Sequence, residues 1–161
     1  MKSGNPKIAA FIIQFESLYN GHPWYGNSLI TILEKVTSKQ AFSQPKSRAH
    51  SIAQIVAHII YWRQPLIKRL EGDTAFKPSM QSEDNWKETS RLKKPGWKKL
   101  KDKLAQSQHQ LITQLKRQKD SLLKTRYSEK ATYEDIVNGV IQHDIYHIGQ
   151  IAYLKSLIKT K

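Results

Sequence analysis

The sequence predicts an all-α protein that folds as a four-helix bundle. Apolar residues recur every three to four positions along several long segments, the spacing of one helix face. No segment shows the alternation of apolar and polar residues that is typical of a half-buried strand. Two capping boxes, at Ser51–Gln54 and Thr132–Asp135, mark helix starts. The 161 residues suit a single domain, which we expect to span residues 1–161.

The first part of the chain predicts two helices. Asn5 followed by Pro6 is a cap with proline at the first helical position, so a helix is expected from there to about Tyr19. After a turn, a helical pattern resumes near Asn27 and continues to about Ser38.

A long helix is predicted from Ser51 to Glu71, with Gly72 as its stop signal. Pro65 lies inside this span, where it removes one backbone hydrogen bond and favours a kink. The polar segment 73–95 then resembles a crossover connection, with a short helix expected around Trp86.

Two further helices complete the predicted bundle. One begins near Trp97 and carries leucines at helical spacing, with its lysines mostly on the other face. The other begins at Thr132 and continues to about Ile158. Four helices with one long crossover are typical of an antiparallel-type bundle.

The net charge of +14 raises the question of a nucleic-acid partner. Seven basic residues lie between Arg91 and Lys103, and Trp86 and Trp97 flank them, as in a basic patch with stacking aromatics. The alternative is a loop that leads into the solvated face of a helix. We favour the solvated face, because charge runs of this kind usually solvate an amphipathic helix.

Composition excludes several other classes. The chain has no cysteine, which rules out a disulfide scaffold, a thiolate zinc site and a cysteine nucleophile. The longest apolar run, Ile8–Ile13, is far shorter than the ~20 residues of a membrane span. Gln14 and Glu16 interrupt it too early for a signal peptide, so we expect a cytoplasmic protein without a membrane partner.

Three histidines are the candidate functional residues. His143 and His147 are one turn apart on the apolar stripe of the last helix, so both rings can reach one point. His58 lies on the inward stripe of the helix that begins at Ser51. Whether His58 reaches the level of the pair depends on the stagger of the two helices.

Three neutral imidazoles suit zinc, nickel or iron. Three protein ligands leave one position for water or substrate, as in catalytic zinc sites. The alternative interpretation is a purely structural one, in which these are core histidines whose polar atoms are satisfied by hydrogen bonds.

Several other residues are weaker candidates. His50, Gln54 and Asp144 are possible pocket residues or partners of the ligands, although Gln54 belongs to a capping box and Asp144 is expected on the surface. His22 and His109 are expected in solvent. Gly139, one turn before His143, is expected to leave room beside that ring.

Four motifs resemble the DinB-like (YfiT-like) superfamily of metal-dependent four-helix-bundle enzymes. HSIAQIVAHIIYW at 50–62 is similar to its second-helix motif, and GVIQHDIYHIGQI at 139–151 is similar to its fourth-helix motif. HPWYGNSL at 22–29 and LIKRLEGD at 66–73 are similar to a subgroup. The resemblance covers most of the chain.

The resemblance implies an up-up-down-down bundle, often dimeric, in which His58, His143 and His147 bind zinc or nickel. Characterised relatives include thiol-dependent S-transferases and isomerases that use bacillithiol or mycothiol. In these the metal would lower the pKa of a bound thiol or water and so create a nucleophile. A chain without cysteine fits this chemistry, because the thiol arrives as a cosubstrate.

We therefore expect a metal-dependent transferase or hydrolase that acts on a small molecule, with a low-molecular-weight thiol as a candidate cosubstrate and a homodimer as its candidate assembly. Two alternatives remain open at this point. The first is a non-catalytic metal-binding or interaction protein. The second, less favoured, is a nucleic-acid-binding module that uses the Arg91–Lys103 region.

Overall fold

The computed structural model describes residues 4–45 and 49–158, and every multi-residue element within them is helical. This confirms the all-α prediction. Four long helices dominate: α1 (Pro6–Asn20), α4 (Ile52–Leu70), α6 (Gly96–Lys116) and α8 (Tyr133–Leu157). The short helices are α2 (Leu29–Leu33), α3 (Ser38–Ala41), α5 (Thr89–Lys93) and α7 (Asp120–Leu123).

Local sequence signals place the starts of the long helices. Both predicted capping boxes are confirmed, since the Ser51 and Thr132 side chains each accept a backbone hydrogen bond three residues on. The side chains of Gln54 and Asp135 complete the exchange by accepting from the backbone of the cap residue. Helix α4 continues through Pro65, whose side chain is buried.

The helix predicted from about Asn27 to Ser38 is wrong in its extent, because two short helices occupy this region. Thr37 starts α3 with its own capping box, in which its hydroxyl accepts from Gln40 N and the Gln40 side chain accepts from Thr37 N. This exchange places Thr37 in an extended conformation, which is incompatible with a continuous helix.

The four long helices form a closed ring, in which α4 packs against α6 and α8, and α1 packs against the same two helices. Hydrogen bonds from Arg63 to Ser107 and from Gln118 to the Leu70 carbonyl show that α4 and α6 run parallel. Gln108 instead bonds the Phe15 carbonyl, and Asp120, just after α6, bonds Asn5, just before α1, so α1 and α6 run antiparallel.

Helices α4 and α8 are antiparallel, since His58 lies level with His147 and Arg63 lies level with Asp144. The order along the chain is therefore up-down-down-up for α1, α4, α6 and α8, which corrects the expected up-up-down-down order. The long crossover explains the difference, because residues 71–95 return the chain to the level at which α4 began and allow α6 to run parallel to it.

The basic stretch lies outside the core, as predicted. Arg91 pairs with Glu83 and Lys98 pairs with Asp102, both at the surface. Trp97 is buried and donates a hydrogen bond to a backbone carbonyl of the core, so it is not a stacking platform for bases. Within the described residues, none of the helices has the length and apolar character needed to span a bilayer.

Candidate metal centre

His58, His143 and His147 converge at one point between α4 and α8. The Nε2 atom of His143 lies 3.2 Å from His58 Nε2 and 3.1 Å from His147 Nε2. The three rings offer nitrogen atoms that all lie within 4.8 Å of one another, a group that can hold a metal ion. His58 and His147 are buried, and His143 is half-buried at the edge of the site.

Hydrogen bonds on the far sides of two rings determine their tautomers. His58 Nδ1 lies 2.8 Å from the Asn85 carbonyl oxygen, and His147 Nδ1 lies 2.7 Å from Gln150 Oε1. Both partners are acceptors, so each Nδ1 carries the proton and donates it. The Nε2 atoms of His58 and His147 therefore present lone pairs to the centre of the cluster.

This donor set fits a divalent cation. If His143 Nε2 carries a proton, it can donate to the lone pair of His58 or of His147, and the other lone pair has no good donor. A cation can instead accept the lone pairs of all three rings. Two nitrogens that bind one zinc ion tetrahedrally at about 2.0–2.1 Å are roughly 3.3 Å apart, close to the observed separations. His143 Nδ1 is buried without a hydrogen-bond partner in the described part of the chain.

Burial favours the neutral form of His58 and His147, the form that binds metals. Desolvation, together with the neighbouring imidazoles, lowers the pKa of His58 to about 4, against the opposing effect of the Asn85 hydrogen bond. Desolvation also lowers the pKa of His147. These two rings are consequently available as lone-pair donors at neutral pH.

Trp86 forms one wall of the site. Its ring stacks on His58 with centroids 3.7 Å apart and planes within 8°. The opposite face of Trp86 stacks on His50 at 3.7 Å and within 2°. His50, Trp86 and His58 thus form a stack of three rings. His50 is the outermost ring and contributes to the site only through Trp86.

Asn85 anchors the crossover at the site, a role that the sequence analysis missed. Its side chain is buried, accepts a hydrogen bond from Trp62 Nε1 at 2.8 Å and donates one to the Met80 carbonyl at 2.8 Å. Together with the bond from His58, these contacts hold the crossover against α4. Asn85 lies in a polar linker without helical or strand periodicity, so the only feature of the sequence that could have indicated its role is its position next to Trp86.

Of the remaining weak candidates, Gln54 has a structural role. Gln54 donates a hydrogen bond to the Lys87 carbonyl in addition to its part in the capping box. His22 and His109 are exposed, as predicted.

Asp144 corrects the expectation of a surface residue. Its side chain is fully buried, and its Oδ2 accepts a hydrogen bond from Arg63 Nε at 2.9 Å. Arg63 is also fully buried and donates a further hydrogen bond to Ser107. The pair explains the burial, since opposite charges from α4 and α8 compensate one another inside the core. The arginine within the apolar run of α4 was the available signal.

A cavity of about 370 Å³ opens beside His143 between α4 and α8. Gly139 lines it, and apart from its chain neighbours and the backbone of its own helix, no described atom would lie within 4 Å of a Cβ at this position. The predicted room beside His143 is therefore present. A second cavity, of about 230 Å³, lies on the opposite side of the cluster near His50 and Gln150.

Fold and site together define a helical-bundle protein with a three-histidine group, of which His143 lines a largely apolar cavity. The sequence profile of the DinB superfamily matches residues 26–151, most of the chain and all three histidines. The chain belongs to the DinB superfamily. Comparisons with curated proteins and with solved structures found no match.

Proposed function

We propose that this protein is a metal-dependent transferase or hydrolase of the thiol S-transferase type. His58, His143 and His147 would hold the metal ion, with zinc or nickel as the expected metal. One observation carries the proposal: at least two imidazole lone pairs, fixed by hydrogen bonds to Asn85 and Gln150, point at the same place as His143 Nε2. Membership of the DinB superfamily supports it.

A divalent metal bound there supplies Lewis acidity, which lowers the pKa of a bound thiol or water so that a nucleophile exists near neutral pH. The chain's own residues hold the imidazoles in the correct tautomer and shield one face of His58 behind Trp86. The chain lacks cysteine, so a low-molecular-weight thiol must enter as cosubstrate. In the transfer, the thiol proton passes to solvent, the C–S bond forms, and the leaving group departs with its bonding electrons.

Elemental analysis of protein purified without a histidine tag or chelator tests the metal site. We expect about one equivalent of zinc or nickel per chain, and its loss in His58→Ala and in His143→Ala. His109→Ala is the matched control, because that histidine is exposed on α6 and distant in sequence from the cluster. Folded wild-type protein that neither contains nor takes up metal would refute the site.

A conjugation screen tests the reaction. Metal-loaded protein is incubated with bacillithiol or mycothiol and a panel of small electrophiles, and loss of free thiol is measured. We expect turnover that disappears in His143→Ala and remains in His109→Ala. Hydrolysis of the same panel without thiol would favour the hydrolase form, and a metal-loaded protein inactive in both assays would contradict the proposal.

The proposal includes a single cytoplasmic domain that forms a homodimer. Exposed apolar side chains on the outer side of α8 support a partner surface there, namely Ile145, Tyr146, Tyr153 and Leu157. Light scattering should give the mass of a dimer for the full chain and of a monomer for Tyr146→Lys. Ile13→Lys, at an exposed residue of α1, is the control. A monomeric wild type at micromolar concentration would refute the dimer.

A further inference from the structure

The cavity beside His143 has apolar walls and a defined length. Its apolar lining comes from both helices and from the crossover: Trp62, Pro65, Pro78, Ile136, Gly139 and Val140. His143 and Ile136 are seven residues apart on α8, roughly 10 Å of helix axis at 1.5 Å per residue. Because α4 and α8 are antiparallel, Trp62 lies at the histidine end and Arg69 at the far end.

Arg69 is held at the far end without an anionic partner. Its Nη1 donates to the Phe76 carbonyl at 3.2 Å and to the Pro65 carbonyl at 3.4 Å, and its guanidinium lies 5.2 Å from the centroid of the Tyr127 ring. Within the described residues, no carboxylate lies within 4.0 Å of it. Nη2 and Nε have no hydrogen-bond partner there either.

Asp135, the acidic residue that shares the cavity, is already engaged. Its Oδ2 accepts hydrogen bonds of 2.7 Å from both the backbone nitrogen and the hydroxyl of Thr132 at the start of α8. These bonds lower the pKa of the carboxyl group, so it stays ionised as a helix cap. Asp135 accepts these bonds from Thr132 and forms no ion pair with Arg69 in the described part of the chain.

Gly139 keeps the middle of the cavity open. A glycine inside a helix costs about 1 kcal/mol relative to alanine. Outside its own helix, no atom of the described residues lies within 4 Å of a Cβ at this position, so close packing does not require the glycine. Any larger side chain would extend into the cavity, so the glycine preserves space for a ligand.

We infer that this cavity binds an elongated apolar carboxylate, with its carboxylate on Arg69 and its other end at the histidine cluster. The inference rests on the proposed function and names the substrate class for it. An arginine fork recognises a carboxylate through two parallel hydrogen bonds. The volume of about 370 Å³ lies within the usual range for a small-molecule pocket. The apolar walls favour a ligand whose remaining part, between the carboxylate and the histidine end, is aromatic or aliphatic.

Calorimetry on the full chain tests the charge preference. The probes are 6-phenylhexanoate and its neutral amide, titrated into metal-free protein so that the carboxylate cannot bind a metal ion instead. We expect the carboxylate to bind at least about tenfold more tightly than the amide, as for one charged hydrogen-bonded contact. Equal affinities, or no binding of either probe at millimolar concentration, would overturn the inference.

Two variants assign the preference to Arg69. Arg69→Gln should remove the tenfold difference between acid and amide. Arg117→Gln removes the same charge from an exposed site just after α6 and should keep the difference. A preference that survives in Arg69→Gln would overturn the inference.

A matched pair of glycine substitutions locates the ligand. Gly139→Leu fills the cavity and should weaken binding of the acid by tenfold or more. Gly149→Leu makes the same change on the same helix, at an exposed position that also has no neighbour within 4 Å, and should leave binding unchanged. Unchanged affinity in Gly139→Leu, with its helicity confirmed by circular dichroism, would place the ligand elsewhere and refute the proposal.

These outcomes are independent of the proposed reaction, because binding is measured without metal or thiol. A carboxylate preference that depends on Arg69, in a protein without turnover, would uphold the inference while the proposed function fails. Thiol transfer in a protein that binds acid and amide equally would uphold the function and overturn the inference alone.

Discussion

Two polar clusters lie side by side between α4 and α8, and they are satisfied in different ways. Arg63 and Asp144 carry opposite charges, are fully buried, and compensate each other within the chain. In the histidine cluster, the Nε2 atoms face one another at 3.1–3.2 Å, and no carboxylate of the described residues pairs with them. One cluster pairs its opposite charges within the chain, whereas the other is suited to a cation from solution. Neighbouring polar groups in one core thus separate into a structural pair and a candidate binding site.

Breaking the charge pair should have the largest effect. Asp144→Ala leaves the Arg63 charge buried and unpaired, so the free energy of unfolding should fall by about 3–5 kcal/mol. Urea denaturation of metal-free protein measures it. The double variant Arg63→Met with Asp144→Leu removes both charges and should regain most of the loss. A single variant within about 1 kcal/mol of wild type would show that the pair is not a compensated charge.

Zinc should act on the histidine cluster alone. At a free concentration 100 times the dissociation constant, a ligand that binds only the folded state adds about 2.7 kcal/mol to the free energy of unfolding. His143→Ala should lose this increment, whereas Arg63→Met with Asp144→Leu should keep it. Chemical denaturation with and without zinc makes the comparison. An increment that persists in His143→Ala would place the metal elsewhere.

Removing the hydrogen bond behind one imidazole should have a smaller effect. Gln150→Ala deprives His147 Nδ1 of its acceptor, so zinc affinity should fall about 10–100-fold. The stability of metal-free protein should stay within about 0.5 kcal/mol, because Gln150 is only half-buried. Gln150→Glu retains an acceptor and is the control. Chelator competition measures the affinity, and equal affinity in Gln150→Ala would contradict this account of the tautomer.

The smallest expected effect is a dependence of stability on pH in the metal-free protein. The pKa of His58 is about 4 in the folded state, and the ordinary pKa of a histidine is 6.5. Between these values the unfolded chain binds more protons, so stability falls as pH decreases from 6.5 towards 4. The loss from pH 7 to pH 5 should shrink in His58→Gln and stay the same in His109→Gln. Equal losses in both variants would refute this origin.

The long helices could be predicted from the sequence because their signals are local. The boxes Ser51–Gln54 and Thr132–Asp135 and the apolar spacing depend on residues within one or two turns. The extent of the helix near Thr37 was wrong because a further capping box was overlooked. Helix direction could not be predicted, since it depends on packing between segments that are distant in sequence.

In the site, too, the features that depend on local sequence could be predicted, and those that depend on contacts between distant segments could not. The pairing of His143 with His147 follows from helix geometry, but their meeting with His58 depends on the stagger of α4 against α8. Asp144 was expected at the surface because it directly follows His143 and so faces roughly 100° away from it. Its buried partner, Arg63, lies 81 residues away and gives no local signal. Asn85 gave no periodic signal, and its contact with His58 exists only once the crossover has folded back onto α4.

The anchoring of the crossover by Asn85 and Trp86 affects where the chain tolerates insertions. Long surface connections usually accept extra residues with little loss. Here, residues added between Met80 and Leu92 would displace the Asn85 carbonyl and the Trp86 ring from His58. The exposed turn around Ser128–Lys130 has no such contact with the histidines and is the better place to insert a tag or fuse a second domain.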